Sequence, residues 1–176
     1  TNLWVPFFIA SIDLLKPGGK LGMIIPNEIL YLPHAKSLRS FLKQKMSKII
    51  ILDCNELLFK NTLQGTSVIF ATKKIDDKEK SFLSINRLNK DGLDKKNIDK
   101  IVKDSTFKKI GNEDKWMLYL LNKEEIKTLN YLKNNKEIKA FNDIASADVG
   151  IVTGANKFFL INKETADKYQ LKKYTY

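Results

Sequence analysis

The chain contains 176 residues, a length that suits one domain or one domain with part of a second. Hydrophobic residues make up 43% and charged residues 29%, which is typical of a chain with a core and excludes wholesale disorder. A single Cys and a single His exclude an internal disulfide, a Cys/His zinc site and a multi-His metal cluster. The net charge of +11 is spread along the chain and indicates either an anionic partner such as nucleic acid or simply a solvated, Lys-rich surface.

No segment has the pattern of a membrane span or a signal peptide. The longest apolar run, residues 3–10, is interrupted by Pro6, whereas a spanning helix needs about 20 apolar residues. The positively charged start of a signal peptide is absent. We therefore expect a cytoplasmic protein with no membrane partner. Because the first residue is Thr1 rather than Met, we also expect the chain to be a piece of a longer protein.

The first part of the chain alternates between helical and strand patterns. Residues 3–15 carry apolar side chains at helical spacing and are followed by a Pro-Gly-Gly turn at 17–19. The apolar run at 21–25 predicts a short buried strand, which Pro26-Asn27 closes. Further strands are predicted over residues 48–53, 66–72 and 82–88.

A helix is predicted over residues 35–46 because its apolar side chains recur at helical spacing. Leu38, Phe41 and Leu42 are expected to face inward. The basic residues are expected to face outward, namely Lys36, Arg39, Lys43 and Lys45.

Helices that alternate with buried strands predict an α/β sheet, in which ligands bind at the carboxyl ends of the strands. The connection over 54–65 is too short to contain a crossover helix, so the strands on either side of it are expected to be antiparallel.

The second part of the chain is more polar. Residues 89–115 predict a loop region with a short helix near 95–103, and residues 122–134 predict an amphipathic helix with acidic residues in its first turn. Residues 158–161 predict a strand, and residues 163–169 predict a final helix.

Several candidate motifs have a simple structural interpretation. Residues 16–20 resemble a phosphate-binding loop only superficially, because the glycines follow a helix and precede a strand. His34, the one imidazole available for acid–base catalysis, is expected at the surface or at a helix cap. Cys54 ends a buried strand and is expected to pack there. Asp53 and Glu56 are a candidate carboxylate pair, although acids three residues apart are common.

Two segments have a pattern that also suits nucleic acid. Phe59 lies in a loop at the ligand-binding edge of the predicted sheet, where an aromatic ring either fills the core or stacks on an unpaired base. Residues 149–159 form either an ordinary glycine turn or a loop whose backbone and side chains contact phosphates and bases.

These segments together resemble the adenine-N6 DNA methyltransferases of restriction–modification systems, of the gamma type that includes fused restriction enzyme–methyltransferases. Residues 3–27 are similar to the segment that follows the catalytic tetrapeptide of that family. Phe59 with residues 66–70 resembles its loop-and-strand unit, whose aromatic ring stacks on the flipped adenine. Residues 149–159 are similar to the segment that opens its target-recognition domain.

The resemblance implies a partial Rossmann-like sheet with an antiparallel strand pair, followed by the start of a mixed α+β recognition domain. It implies the second half of the catalytic domain over 1–88, a connecting segment over 89–140, and the start of the recognition domain over 141–176. Phe59 and Asn27 would then line the pocket for the target base. The residues expected to contact DNA are Thr153, Gly154, Asn156 and Lys157.

The resemblance also implies S-adenosylmethionine as cofactor, double-stranded DNA as partner, and a restriction nuclease that is fused or separate. The family's Gly-rich cofactor loop, acidic ribose-binding residue and Asn/Asp-Pro-Pro-Tyr/Phe tetrapeptide do not occur in this sequence. We therefore expect them before Thr1 and expect this chain alone to be inactive. Two alternatives remain open, a non-catalytic DNA-binding or specificity module on an α/β scaffold and a structural interaction domain with Lys on its surface.

Overall fold

The computed structural model describes residues 3–54, 56–57, 65–89, 92–112, 115–150, 152 and 154–174, with the backbone alone at 156, 157 and 172. The chain divides into two compact units, Thr1–Tyr131 and Leu132–Tyr176. The first contains a sheet with helices packed on it, and the second contains short helical turns. The predicted domain boundaries at 88 and 140 remain predictions.

The first unit alternates helices and strands, as the sequence pattern predicts. Its helices and strands in chain order are α1 (Trp4–Asp13), β1 (Lys20–Pro26), α2 (Lys36–Lys45), β2 (Met46–Cys54), β3 (Thr66–Lys73), β4 (Phe82–Leu88), α3 (Lys95–Asp104) and β5 (Lys108–Lys109). Helix α4 (Lys123–Asn134) follows a 3₁₀ turn and contains the boundary between the units.

The strands form one sheet in the order β1-β3-β2-β4-β5. Strand β3 is antiparallel to both β1 and β2, which confirms the predicted antiparallel pair and extends it to a second neighbour. Strand β4 is parallel to β2. Because β1, β2 and β4 therefore run in the same direction, their carboxyl ends lie at one edge of the sheet. The predicted α/β class is confirmed.

The core lies between one face of the sheet and helices α1 and α2. Strand residues alternate between the two faces, and those that face the helices are apolar. The core residues from the helices are Phe8, Ile12, Leu38 and Leu42, and those from the sheet are Ile25, Met46, Ile49, Ile51, Ile69, Ala71 and Leu83. Trp116, from the 3₁₀ turn Trp116–Leu120, is also buried in this cluster.

The Pro-Gly-Gly segment forms the predicted turn from α1 into β1. Gly18 has φ +72°, a conformation that L side chains rarely adopt. A Cβ atom on Gly19 would lie 2.7 Å from the carbonyl oxygen of Lys16, so this position has no room for a side chain. Lys73, at the end of β3, completes the turn because its ammonium donates to the carbonyls of Ile12, Asp13 and Leu15 at the end of α1.

The expectation that Arg39 faces outward is wrong. Arg39 is 4% exposed, and its guanidinium donates hydrogen bonds to the carbonyls of Ile29 and Leu32 at 2.9 and 3.1 Å. These carbonyls belong to the irregular chain between β1 and α2. They accept from a side chain there, and the long planar guanidinium reaches them from the helix.

The second unit contains α5 (Asn156–Phe159), α6 (Lys163–Lys168) and 3₁₀ turns at Phe141–Asp143 and Lys172–Tyr174. The predicted helix over 163–169 is confirmed by α6. The predicted strand over 158–161 is wrong, because the amides of Phe158 and Phe159 both donate to the Ala155 carbonyl in a helical turn. Short apolar runs suit either structure, and side chains with this much exposure (74% for Phe158) are not those of a buried strand.

Within the described part of the chain, no helix is both long enough and apolar enough to cross a membrane.

Candidate functional site

The carboxyl edge of the sheet brings together the ends of three parallel strands. Strand β1 ends at Pro26, β2 at Cys54 and β4 at Leu88, and the antiparallel β3 begins at Thr66 between the first two. The segment over 55–65 therefore leaves and rejoins the sheet at this same edge. In open α/β sheets this edge is the one that binds ligands.

Asn27 lies at this edge, in the 3₁₀ turn that follows β1. The backbone N–H of Asn27 donates to the carbonyl of Gly65 at 3.0 Å, and Gly65 immediately precedes β3. A Cβ atom on Gly65 would lie 2.3 Å from Nδ2 of Asn27, so a side chain at position 65 would force the Asn27 side chain to move. Asn27 is thus held against the point where the 55–65 segment returns to the sheet.

The turn after Asn27 is stabilised by a buried carboxylate. Glu28 is 7% exposed and accepts a hydrogen bond from the indole N–H of Trp4 at 3.1 Å. Nε2 of His34 lies 3.7 Å from the same carboxylate oxygen, and the His34 side chain is 53% exposed. His34 is therefore at the surface, as expected, and it lies beside a buried acid that the sequence pattern did not single out.

Asp53 does not pair with Glu56, which is exposed. Its carboxylate instead accepts a hydrogen bond from the Ser67 hydroxyl at 3.2 Å and lies 3.7 Å from Nε of Arg87. Ser67 is opposite Asp53 on β3, and Arg87 is opposite it on β4. One acidic side chain thus connects three neighbouring strands at the carboxyl edge. We call Asp53, Ser67 and Arg87 the edge cluster.

Burial controls the titration of two neighbouring groups in this region. Burial raises the pKa of Asp53 above its ordinary value, while the Ser67 hydrogen bond and the Arg87 charge oppose that shift. Burial also raises the pKa of the Cys54 thiol, and the negative charge of Asp53 adds to the effect. Cys54 is 4% exposed and packs in the sheet as expected. A raised thiol pKa disfavours the nucleophilic thiolate.

The other predicted site residues belong to different parts of the chain. Phe59 and Thr153 lie outside the described residues. Gly154 has φ +68°, with open space where a side chain would be. Asn156 and Lys157 begin α5, and their side chains are outside what the structure describes.

Sequence reasoning missed Arg87 because the signal for it was indirect. Arg87 and Arg39 are the only two Arg among 31 basic residues, and Arg87 stands near the end of a predicted strand. Its connection to Asp53 depends on the pairing of β2 with β4, and local periodicity contains no information on that pairing.

Among the described residues, no group of three or more His, Cys, Asp or Glu side chains could hold a metal ion.

Two family descriptions match successive parts of the chain. Residues 1–59 match the Eco57I restriction-modification methylase. Residues 113–176 match the C-terminal domain of the Type II methyltransferase M.Eco57I. Asn27 and Asp53, at the carboxyl edge, lie within the first of these matches.

Two curated proteins are similar over most of the chain. The Type II methyltransferase M.AccI of Acinetobacter calcoaceticus is 28% identical over 184 residues, a match that covers 97% of this chain and 32% of M.AccI. The Type II restriction enzyme and methyltransferase RM.Eco57I of Escherichia coli is 31% identical over 163 residues, covering 90% of this chain and 15% of that protein. The chain therefore spans a third or less of these relatives.

Solved structures of restriction–modification enzymes share the fold. A nuclease-deletion mutant of the Type ISP enzyme LlaGI, in complex with a DNA substrate mimic, has a TM-score of 0.52 at 14% identity, covering 65% of this chain and 11% of that one. The ATP-dependent Type ISP enzyme LlaBIII bound to DNA has a TM-score of 0.50 at 16% identity, with coverages of 64% and 9%. The matched segments and the shared sheet agree with each other, and the chain resembles the Eco57I restriction–modification methyltransferases in two segments, residues 1–59 and residues 113–176.

Proposed function

We propose that this chain forms part of an adenine-specific DNA methyltransferase, which transfers a methyl group from S-adenosylmethionine to the N6 amine of an adenine flipped out of the duplex. The observation that carries the proposal is the match of residues 1–59 to the methylase family. The carboxyl edge supports it, since Asn27 and both ends of the 55–65 segment meet there. A flipped base needs a pocket lined by hydrogen-bonding groups and an aromatic ring.

In this proposal Phe59 stacks on the flipped adenine and Asn27 lines the same pocket. Thr153, Gly154, Asn156 and Lys157 contact the DNA outside that pocket. Stacking on an aromatic ring is worth about 1–3 kcal/mol per base and offsets part of the cost of removing the base from the duplex. A restriction nuclease, fused or separate, completes the system.

In this proposal, residues outside this chain supply the main binding site for S-adenosylmethionine. The Gly18-Gly19 turn lies at the amino end of β1, opposite the candidate site, and Gly19 closely contacts the Lys16 carbonyl. We therefore assign no residue of this chain to the cofactor. When bound to the complete enzyme, the cofactor supplies an electrophilic methyl group.

The test is to identify the methylated base. The complete enzyme is incubated with S-adenosylmethionine and unmethylated duplex DNA, and the DNA is digested to nucleosides and analysed by mass spectrometry. We expect N6-methyldeoxyadenosine as the product. Methylcytosine as the product would contradict the adenine assignment, and DNA that binds without any methylation would favour the non-catalytic module.

The role of Phe59 is tested with the same assay. Phe59→Ala is expected to lower the methylation rate about five- to 150-fold, since about 1–3 kcal/mol of stacking is lost. Phe7→Ala is the matched control, because Phe7 is an exposed aromatic residue on α1. If Phe59→Ala methylates at the rate of the control, Phe59 has a packing role instead.

A further inference from the structure

Arg87 is a cation at the carboxyl edge of the sheet with much of its surface available. Its side chain is 55% exposed, although it lies 3.7 Å from a buried carboxylate. The other Arg of the chain, Arg39, is buried and bonds to backbone carbonyls. Arg87 is therefore the exposed residue of this chain whose planar guanidinium offers several donors in a fixed fork, a geometry that suits phosphate.

The edge cluster restricts the conformations of Arg87. Asp53 is 8% exposed and accepts from the Ser67 hydroxyl at 3.2 Å, so its carboxylate has a fixed position between β3 and β4. The Nε atom of Arg87 lies beside the other oxygen of that carboxylate. An arginine that is already ordered loses less conformational entropy on binding a ligand than a free surface lysine loses.

The arrangement is poorly explained as a stabilising ion pair. Pairs of this type at a protein surface contribute about 0–1 kcal/mol, and burying a carboxylate opposes that gain. Asp53 and Ser67, from two neighbouring strands, thus hold a half-exposed guanidinium at the edge where Asn27 also lies.

We propose that Arg87 binds a backbone phosphate of the DNA at the carboxyl edge of the sheet, and that Asp53 and Ser67 are positioning residues that orient it. This inference rests on the proposed function, because it assigns a contact for the same DNA substrate. Phosphate contacts fix the register of a protein on the duplex, whereas base contacts read the sequence. Arg87 therefore positions the duplex near the base pocket and does not select the recognition site.

The experiment measures DNA binding by the complete enzyme as a function of salt. Two fluorescein-labelled duplexes of equal length and unrelated sequence are titrated with enzyme at several KCl concentrations. The logarithm of the association constant falls linearly with the logarithm of the salt concentration. Loss of one phosphate contact makes this negative slope shallower by about one unit. We expect Arg87→Ala to show that change on both duplexes, with affinity about tenfold weaker at low salt. Arg87→Lys is expected to keep the slope and lose part of the affinity.

Lys78→Ala is the control for removal of a positive charge. Lys78 is exposed in the connection between β3 and β4, at the opposite edge of the sheet. This variant is expected to bind both duplexes as the unmodified enzyme does. Thermal unfolding of each variant checks that the sheet remains folded.

A double-mutant cycle tests the positioning role of Asp53. Asp53→Asn is expected to weaken DNA binding in the unmodified enzyme and to have no further effect in the Arg87→Ala background, because it acts through Arg87. If Asp53 acts only by stabilising the structure, Asp53→Asn would lower the affinity for DNA equally in both backgrounds. That result would contradict the positioning assignment.

The outcomes separate this inference from the proposed function. If the unmodified enzyme binds and methylates DNA while Arg87→Ala leaves slope and affinity unchanged, the Arg87 assignment is wrong and the proposed function stands. An effect confined to one duplex would identify a base contact and overturn the phosphate assignment. An enzyme that neither binds nor methylates DNA would overturn the proposed function itself.

Discussion

At the scale of single residues, the two carboxylates that are buried in the described part of the chain are located beside the candidate site. Glu28 and Asp53 are both less than a tenth exposed, and each follows or ends a strand at the carboxyl edge. Burying a carboxylate costs free energy unless it accepts hydrogen bonds. Trp4 supplies one to Glu28, and Ser67 supplies one to Asp53. These acids therefore order the edge at a cost to stability.

The pKa of Asp53 predicts how stability depends on pH. Because that pKa is raised, the folded chain binds a proton more tightly than the unfolded chain does. The free energy of unfolding therefore falls as pH rises from about 4 through the raised pKa. Asp53→Asn removes this contribution. We expect the unfolding free energy of the unmodified chain, relative to Asp53→Asn, to decrease with rising pH and then level off.

Urea unfolding at several pH values between about 4 and 7 measures this difference. Asp77→Asn is the control for a lost surface charge, since Asp77 is exposed in the connection between β3 and β4. A difference that stays constant or grows with pH would show that Asp53 is not held in a proton-favouring environment.

At the scale of elements, the end of α1 depends on a side chain from a distant strand. The last carbonyls of a helix have no partners within the helix. At the end of α1 and in the turn after it, the carbonyls of Ile12, Asp13 and Leu15 accept from Lys73 Nζ at 2.9, 3.1 and 2.7 Å. A cation at a helix C-terminus also interacts favourably with the helix dipole. Lys73 thus joins α1, the glycine turn and β3.

We expect Lys73→Met to lower the free energy of unfolding by about 1–2 kcal/mol, because methionine keeps the aliphatic length and removes the donors and the charge. Lys78→Met removes an exposed lysine from the connection between β3 and β4. This variant is expected to change the free energy of unfolding by less than about 0.5 kcal/mol. Urea denaturation of both variants provides the comparison. Equal losses in the two variants would mean that the Lys73 contacts contribute no stability.

The sequence predicted most of these elements and missed their arrangement. Periodicity located β1 to β4, α2 and α4 to within a few residues, because each has a local apolar pattern. It did not place β3 between β1 and β2, since strand order depends on contacts far apart in the chain. For the same reason it offers Glu56 as a candidate partner for Asp53 and does not indicate Arg87, which is opposite Asp53 on β4. The helical pattern predicts that Arg39 faces outward, because no local sequence pattern indicates that the carbonyls of Ile29 and Leu32 will accept hydrogen bonds from it.

At the scale of the whole molecule, the two units differ in how much they bury. The first unit contains the cluster of buried residues from α1, α2 and the sheet. In the second unit, Ala166 is the one buried residue among those that the structure describes. Apolar side chains there, including Val149, Phe158 and Leu160, are more than 70% exposed. The stability of this chain is therefore concentrated in the first unit.

Hydrogen exchange is expected to show this difference directly. Amides of β2 and β3 should exchange most slowly, because each of these strands has a paired strand on both sides and apolar neighbours from the helices. Amides of α6 should exchange much faster. Mass spectrometry of peptic fragments after timed exposure to heavy water measures both, and similar protection of β2 and α6 would contradict this division of stability.

The position of β3 has a consequence for folding during synthesis. Strand β3 lies between β1 and β2 in the sheet, although both precede it in the chain. A nascent chain that has left the ribosome only as far as Cys54 contains two strands whose common partner has not yet been made. At about 5–20 residues per second, translation of the next twenty residues takes one to several seconds. During that interval the backbone edges of both strands that later pair with β3 are open to other partners, so we expect chaperone contact to peak before Lys73 emerges.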